Sequence, residues 1–569
     1  MQSPYYLSNF ERALDWIAGR YDDLLDADER AFIAAFRAAP LPSRALLVRM
    51  LMRQGTLFRA NRLSYAEIGS PFDAAVSLIE MDWVDPAPHL TLDELFALTT
   101  RPELLKIFPH AAASKAARKC DWLAALKAVY PDARPYSMWH PAASSDDCIL
   151  HVTVAPLCER LRLMFFGNLH QDWSEFVLAD LGVYHYERVS FAASSRAFQR
   201  REDVDAYLAL HACRAALDAP NACEDTAAVA QMLEAISSVE TCNPWVESRR
   251  AKLLFRIGYQ CERQQQWDTA LTVYARSAWP GARHRSIRVL ERSGRHADAL
   301  ALATHASTAP ESEEESQRIA RMLPRLLRHT GQTLPRARRA ASIERNTIVI
   351  ARPVEPITVE YAARDHIGAQ DAPVYYVENA LINSLFGLLC WEPIFAALPG
   401  AFFHPFQRGP ADLHAPDFHA RRASQFAECL AQLDNDTHRD TIRRHWHRKS
   451  GLQSPFVFWG ALDESLLTLA LDCIPAAHLK RCFERLLHDL RGNRSGFPDL
   501  IRFWPNERRY EMIEVKGPGD RLQDNQIRWL DYCVQHGMPV RVLDVRWMED
   551  ETMPVMHTDA SGACETENA

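Results

Sequence analysis

The stretch "GFPDLIRFWPNERRYEMIEVKGPGDRLQDNQIRWLDYCVQHGMPVRVLDVRW", residues 496 to 547, constrains the fold of this chain more than any other. Its runs predict two strands, 499–504 and 510–516, forming a β-hairpin. A glycine-rich break then leads into a helix with Asp520 as N-cap, Gln523 completing a capping box and Gly537 closing it. "PVRVLDVRW" reads as a third strand. Upstream, "YYVENALINSLFGLLCWEPIF" (375–395) predicts a helix with an apolar stripe of Leu381, Leu385, Leu388 and Leu389. Glu378 falls in its first turn and Pro393 ends it. The order helix, hairpin, helix, strand defines an α/β core.

Charges on those strands raise a chemical question. Residues two apart on a strand share a face, so Glu514 and Lys516 point one way and Ile513 and Val515 the other. Asp499 opens the adjacent strand, where pairing brings its carboxylate close to Glu514. A solvated hairpin would place these groups in water. Alternatively, two converging carboxylates need a proton or a cation between them, and hard oxygen ligands suit Mg²⁺ or Mn²⁺. A cation held there would assist in-line displacement at a phosphoryl group, with Lys516 orienting the nucleophile or compensating the growing negative charge. Glu378 is either a helix-dipole partner or a third carboxylate. Gln526 shares a helix face with Leu522, Trp529, Leu530 and Cys533, so its amide needs a polar partner.

The remainder is mostly helical in pattern. At 569 residues the chain exceeds one hydrophobic core. Five segments are expected: a helical region over 1–90, short helices and a linker over 91–170, a helical, partly repetitive layer over 171–350, the α/β domain over 351–549, and a disordered acidic tail over 550–569. "SRALLVRMLMRQGTLFRANRLSYAEI" reads as an amphipathic helix whose arginines, Arg59 and Arg62 among them, either face solvent or contact phosphates. Pro141 to Asp147 reads as a linker and "VLADLGVYHYERVSF" as extended. "QWDTALTVY" from Gln266 and "GRHADALALA" from Gly294 are a degenerate helical repeat. "LPRARRAASIER" reads as a basic linker into the last domain.

Composition excludes some classes. The chain has no run of about 18 apolar residues, and thus no membrane partner is expected. The start "MQSPYYLSNFERALDW" lacks a secretory pattern, pointing to the cytoplasm. Thirteen cysteines without a C-x-x-C pair read as reduced thiols rather than zinc ligands. Formal net charge is -8, yet residues 241–350 carry nineteen Lys and Arg against ten Asp and Glu, compatible with a DNA-facing surface.

The motifs Gly-x-Pro-Asp, Glu-Val-Lys-Gly-Pro, Asp-Arg-Leu and the following Gln resemble the PD-(D/E)xK nuclease superfamily, in particular its VRR-NUC branch. With "VENALINSLFGLLCWEPIF", "FFHPFQRGPADL", "SPYYLSNFERAL" and "SRALLVRMLMR", the chain from Ser3 to about Trp547 resembles the Fanconi-associated nuclease family. The resemblance implies a multidomain protein: an α-helical N-terminal DNA-binding region (1–90), a SAP-like region and linker (91–170) and a TPR-like helical domain (171–350) precede a C-terminal α/β, restriction-endonuclease-like VRR-NUC nuclease domain (351–549). It also implies a structure-specific nuclease that cuts 5′ flaps, trims from 5′ ends and serves interstrand crosslink repair in a bacterial cytoplasm, associated with the nucleoid when DNA-bound. Branched or flapped double-stranded DNA is the implied partner. The ligand set implied for Mg²⁺ or Mn²⁺ is Glu378, Asp499, Glu514 and the carbonyl of Val515, with Lys516 catalytic and Gln407 a supporting active-site residue. In animal members a basic pocket holds a 5′ phosphate. Arg491 matches one of its positions, Asn525 stands where a lysine is expected, and the third position is one of Arg249, Arg250 and Lys252. No ubiquitin-binding zinc finger is recognisable. A Holliday-junction resolvase or restriction-like endonuclease, or a catalytically weak DNA-binding scaffold, remains the alternative.

Overall fold

Alternation in the C-terminal sequence becomes a five-stranded mixed sheet in the computed structural model, which describes residues 4–109, 118–141, 147–173, 184–219, 222–333, 343–353 and 356–548. Its strands are β1 (Glu344–Ile350), β2 (Val374–Tyr376), β3 (Leu500–Trp504), β4 (Arg509–Lys516) and β5 (Val540–Trp547). Their order is β1-β5-β4-β3-β2. β3 and β4 form the expected antiparallel hairpin, with Leu500 opposite Ile513. β5 runs parallel to both β4 and β1, and the helix Asp524–Gln535 supplies the crossover that a parallel pair requires.

Both edge strands correct the sequence reading. β1 begins inside the segment read as a basic linker. Its first four residues are exposed, so it lacks the apolar alternation that marks a strand, and pairing with β5 alone recruits it. The first residues of the expected 375–395 helix instead form β2, which pairs with β3. The helix starts only at Leu381, and a second short helix, Trp391–Ile394, carries Pro393. Ile513, Val515, Leu500, Leu543 and Val545 pack with Ala362 and Ala363 of the helix Val359–Ile367. Burial of these β-branched and aliphatic side chains is the main force holding that face.

The chain divides into two units: Met1–Ile257 with Ala397–Gln407, and Gly258–Ala396 with Arg408–Ala569. In the second, the repeat becomes two helical hairpins, Trp267–Ala275 with Ala282–Arg292 and His296–Thr308 with Glu313–His329. Much of their arginine is already paired: Arg283 with Glu315, Arg285 and Arg288 with Glu262, Arg295 with Asp298 and Arg325 with Glu291. The local charge excess therefore overstates the free positive surface.

The first unit opens with three helices, Tyr5–Tyr21, Ala27–Ala38 and Leu41–Leu51. The expected arginine-rich helix stops at Leu51. Arg59 ends a strand, Leu57–Arg59, paired with Ile149–Val152, while Arg62 ends a short 3₁₀ turn. Three helices follow at Leu92–Leu98, Arg101–Ile107 and Lys119–Lys127. The tail from 549 and most of the 141–147 linker lie outside the described residues, as does the first half of "VLADLGVYHYERVSF". Among the described residues no helix is long and apolar enough to cross a membrane, and the cysteines are free thiols.

Candidate active site

Continuing the β3–β4 register by one residue sets Asp499 opposite Glu514 on one face of the sheet. Glu514 is 0% exposed, Asp499 6% and Lys516 8%. Asp499 Oδ2 accepts the Val515 backbone N–H at 2.8 Å. Lys516 Nζ meets Glu514 Oε1 at 2.7 Å. The second Glu514 oxygen is buried without a hydrogen-bond partner.

Both acids are pushed above the ordinary carboxylate range. For Glu514 the cause is burial first and the neighbouring Asp499 second, with Lys516 opposing. For Asp499 burial again leads, opposed by the Val515 N–H and Lys516 and reinforced by Glu378 and Glu360. Two such acids, one with an orphaned oxygen, fit a divalent cation chemically: its charge would relieve the repulsion and satisfy the bare oxygen. The Val515 carbonyl is directed to the same sheet edge as its N–H, toward Asp499, because both groups of one strand residue face one neighbour.

Glu378 lies not in a helical turn but in the bend between β2 and the helix Leu381–Leu389. The bend forms because Val377 N–H donates to the Asp499 carbonyl at 2.8 Å and Asn379 adopts a left-handed φ of 52°. Glu378 is exposed, accepting from Tyr376 Oη at 2.6 Å and Asn379 Nδ2 at 3.0 Å. Among the described residues no three His, Cys, Asp or Glu side chains already form a closed metal-ligating cluster. Asp499 and Glu514 form the buried pair, and Glu378 acts on both electrostatically from the rim.

Asp520 is not the N-cap of the following helix. Its carboxylate accepts the Gly517 N–H at 3.1 Å and closes the turn after Lys516. Gln523 is the N-cap, and Gln526 Oε1 accepts its backbone N–H at 2.8 Å, the partner that a half-buried amide required. Gln407 belongs to the first unit, where its Oε1 accepts the backbone N–H groups of Phe403 and His404.

The basic candidates differ in availability. Arg59 is 5% exposed and faces Asp147 and Glu103, so the expected phosphate contact is corrected to an interior ion-pair hub. Arg62 pairs with Glu103 at 3.2 Å. Arg249 stacks 3.4 Å over the Trp245 ring, and burial lowers its pKa. Arg250 donates to the Val239 carbonyl, and Lys252 is exposed. Arg491 is exposed on the short helix Leu490–Asn493, and Asn525 Nδ2 donates to Ser495 Oγ at 3.2 Å.

Sequence reading missed Tyr376, Asn379 and Glu360. An Asn directly before a helix, tolerant of left-handed backbone, was the available signal for the second.

Sheet order, carboxylate pair and adjacent lysine define a nuclease domain of the VRR-NUC class, and a VRR-NUC domain model matches residues 433–547. Models described as "FAN1, HTH domain" and "Fanconi anemia-associated nuclease SAP domain" match 4–85 and 89–139. The Fanconi-associated nuclease 1 homolog of Pseudomonas aeruginosa is 53% identical over 549 residues, 96% of each chain. The homolog of Arabidopsis thaliana is 24% identical over 95% of this chain and 67% of its own. The crystal structure of paFAN1 bound to 2nt 5′flap DNA with gap superposes with a TM-score of 0.85 at 52% identity, over 96% of this chain and 98% of that one. The chain belongs to the Fanconi-associated nuclease family, and its class of activity is that of a structure-specific DNA nuclease.

Proposed function

We propose that the protein hydrolyses phosphodiesters in 5′-flapped DNA, as a flap endonuclease and a 5′-to-3′ exonuclease of the phosphodiesterase I type, and serves interstrand crosslink repair in the cytoplasm. The observation that carries the chemistry is the buried Asp499–Glu514 pair with Lys516 at 2.7 Å. The substrate reading is supported by similarity to a protein crystallised with 5′flap DNA containing a 1nt or 2nt flap.

Asp499, Glu514 and the Val515 carbonyl would hold Mg²⁺ or Mn²⁺, with Glu378 reaching in from the rim. The cation would supply Lewis-acid stabilisation of the phosphoryl charge and a more acidic attacking water. Rigid strands hold the two acids, so little reorganisation opposes the reaction. In the DNA-free chain Lys516 neutralises Glu514. With a cation beside Glu514, the Lys516 ammonium would be available to face the phosphate and compensate its developing negative charge. Gln526 would support the site through its amide. Arg491, with Arg62, Arg249, Arg250 and Lys252, would contribute phosphate contacts.

Asp499→Ala should lower Mg²⁺- or Mn²⁺-dependent cleavage of a 5′-flap duplex at least about a hundredfold while leaving DNA binding nearly intact. Labelled 5′-flap, 3′-flap, forked and four-way substrates compared in one assay test the specificity. Retained cleavage by the variant sinks the site assignment, and symmetric paired nicks in the four-way junction would replace the flap reading with that of a resolvase.

A further inference from the structure

Glu378 and Asp499 lie far apart in sequence, yet both must face one cation if the proposed function holds. Something has to register the two segments, and an exposed side chain in a bend is poorly placed to do it alone. Pairing of β2 with β3 and the Val377 N–H on the Asp499 carbonyl register the backbones, and the contacts around Asn379 fix the bend that carries the Glu378 side chain. Its Oδ1 accepts the backbone N–H of Gly496 at 2.9 Å and of Phe497 at 3.3 Å, pinning the bend to the segment that runs into Asp499. Its own carbonyl accepts Asn383 Nδ2 at 2.7 Å, and that same nitrogen donates to the Arg494 carbonyl at 2.9 Å. Asn383 is 1% exposed, so this second tie is sheltered from water. Finally, Asn379 Nδ2 donates to Glu378 Oε1 at 3.0 Å.

All of this depends on a backbone φ of 52° at Asn379. Non-glycine residues adopt that region at a cost of roughly 1 kcal/mol, which asparagine bears better than most. Glycine would hold the bend more cheaply, so backbone shape alone does not explain an asparagine here. Its amide does what glycine cannot: one end binds the Asp499 segment and the other binds the Glu378 carboxylate.

We propose that Asn379 is a positioning residue that aims the Glu378 carboxylate at the Asp499–Glu514 pair, by holding Glu378 and the 496–499 segment with opposite ends of one amide. Partners one step removed from metal ligands commonly change metal affinity 10- to 100-fold, roughly, when removed. Asn379 touches no substrate; it acts through Glu378, so its contribution requires that carboxylate. The proposal rests on the cation-dependent reading above.

The test is a double-mutant cycle on the full chain, reading the Mn²⁺ concentration that gives half-maximal thermal stabilisation, with no DNA present. Asn379→Gly keeps the left-handed bend and removes only the amide. It should raise the Mn²⁺ midpoint about tenfold or more. Glu378→Gln still offers Asp499 and Glu514, so it responds to Mn²⁺ at higher concentration. Adding Asn379→Gly to Glu378→Gln should raise that midpoint no further, because the residue through which Asn379 acts is gone. A wild-type midpoint in Asn379→Gly overturns the proposal, as does a loss that simply adds to that of Glu378→Gln. If the wild-type chain itself shows no response to Mn²⁺, the cation reading fails instead.

Discussion

Lys516 and Glu514, two residues apart on one strand, meet at 2.7 Å in a pocket from which water is almost excluded. The pair is stable only because the ammonium supplies the charge that a divalent cation would supply in its place. Site and stability therefore oppose one another here.

Glu514→Gln should separate the two. The Glu514 carboxyl has a folded-state pKa raised by burial and by Asp499. Its stabilising contribution is present below the ordinary carboxylate range and is lost as pH rises through the raised value. The variant, which cannot ionise, should gain about 1–3 kcal/mol over the cation-free wild type at pH 8 and much less at pH 5, while cleavage disappears. Urea unfolding at the two pH values checks this; equal differences at both would contradict a buried, reluctantly ionised acid.

Glu103 carries the opposite sign. Burial alone would raise its pKa, but the Thr100 N–H and hydroxyl and Arg59 outweigh it and hold it down at about 2. Its contribution is present above the ordinary glutamate value and disappears as pH falls toward 2. Glu103→Gln should cost about 1 kcal/mol at pH 7, partial exposure weakening the pair, and the deficit should close on acidification. A deficit unchanged between pH 7 and pH 3 would show that charge is not its source.

Arg485 is a stability hub of the second unit. It is 4% exposed, lies 4.4 Å over Trp529 and 4.3 Å over Tyr532, and pairs with Glu313 of the helical hairpins. Arg485→Ala removes stacking and leaves Glu313 without its cation, a loss of about 2–4 kcal/mol by chemical denaturation. Arg321→Ala breaks the exposed pair with Asp524, about half of each side chain being accessible, and should cost under about 1 kcal/mol. Similar losses from both would refute the burial argument.

Gly496 has φ of 95°, and a Cβ there would sit 2.7 Å from the Asn525 carbonyl carbon. Gly496→Ala should destabilise by about 2 kcal/mol or more and also slow cleavage, since the same residue donates to Asn379 and leads into Asp499. Wild-type cleavage rates in a destabilised variant would show that the segment's position is not critical to the chemistry.

The hairpin, the faces of Glu514, Lys516 and Val515, and the helix–strand order after them were legible in the sequence because they follow from local periodicity. Residues two apart on a strand share a face whatever surrounds them. Edges and junctions were not legible. β1 is mostly exposed and polar, so only its neighbour β5 makes it a strand. Gln523 replaced Asp520 as cap because Asp520 closes the turn on Gly517, a choice between two local partners that spacing does not decide. Arg59 looked like a surface cation, and only a partner 88 residues away, Asp147, shows that it is interior.

By itself, then, the sequence determined which charged side chains the hairpin strands carry and which strand faces present them, since side-chain type and period 2 are properties of the chain. Tertiary structure alone decided that the acids are buried side by side, that one oxygen of Glu514 is left bare, and that Glu378 sits in a bend held by Asn379. Those depend on burial and on hydrogen bonds between segments more than a hundred residues apart, and local pattern carries no record of them.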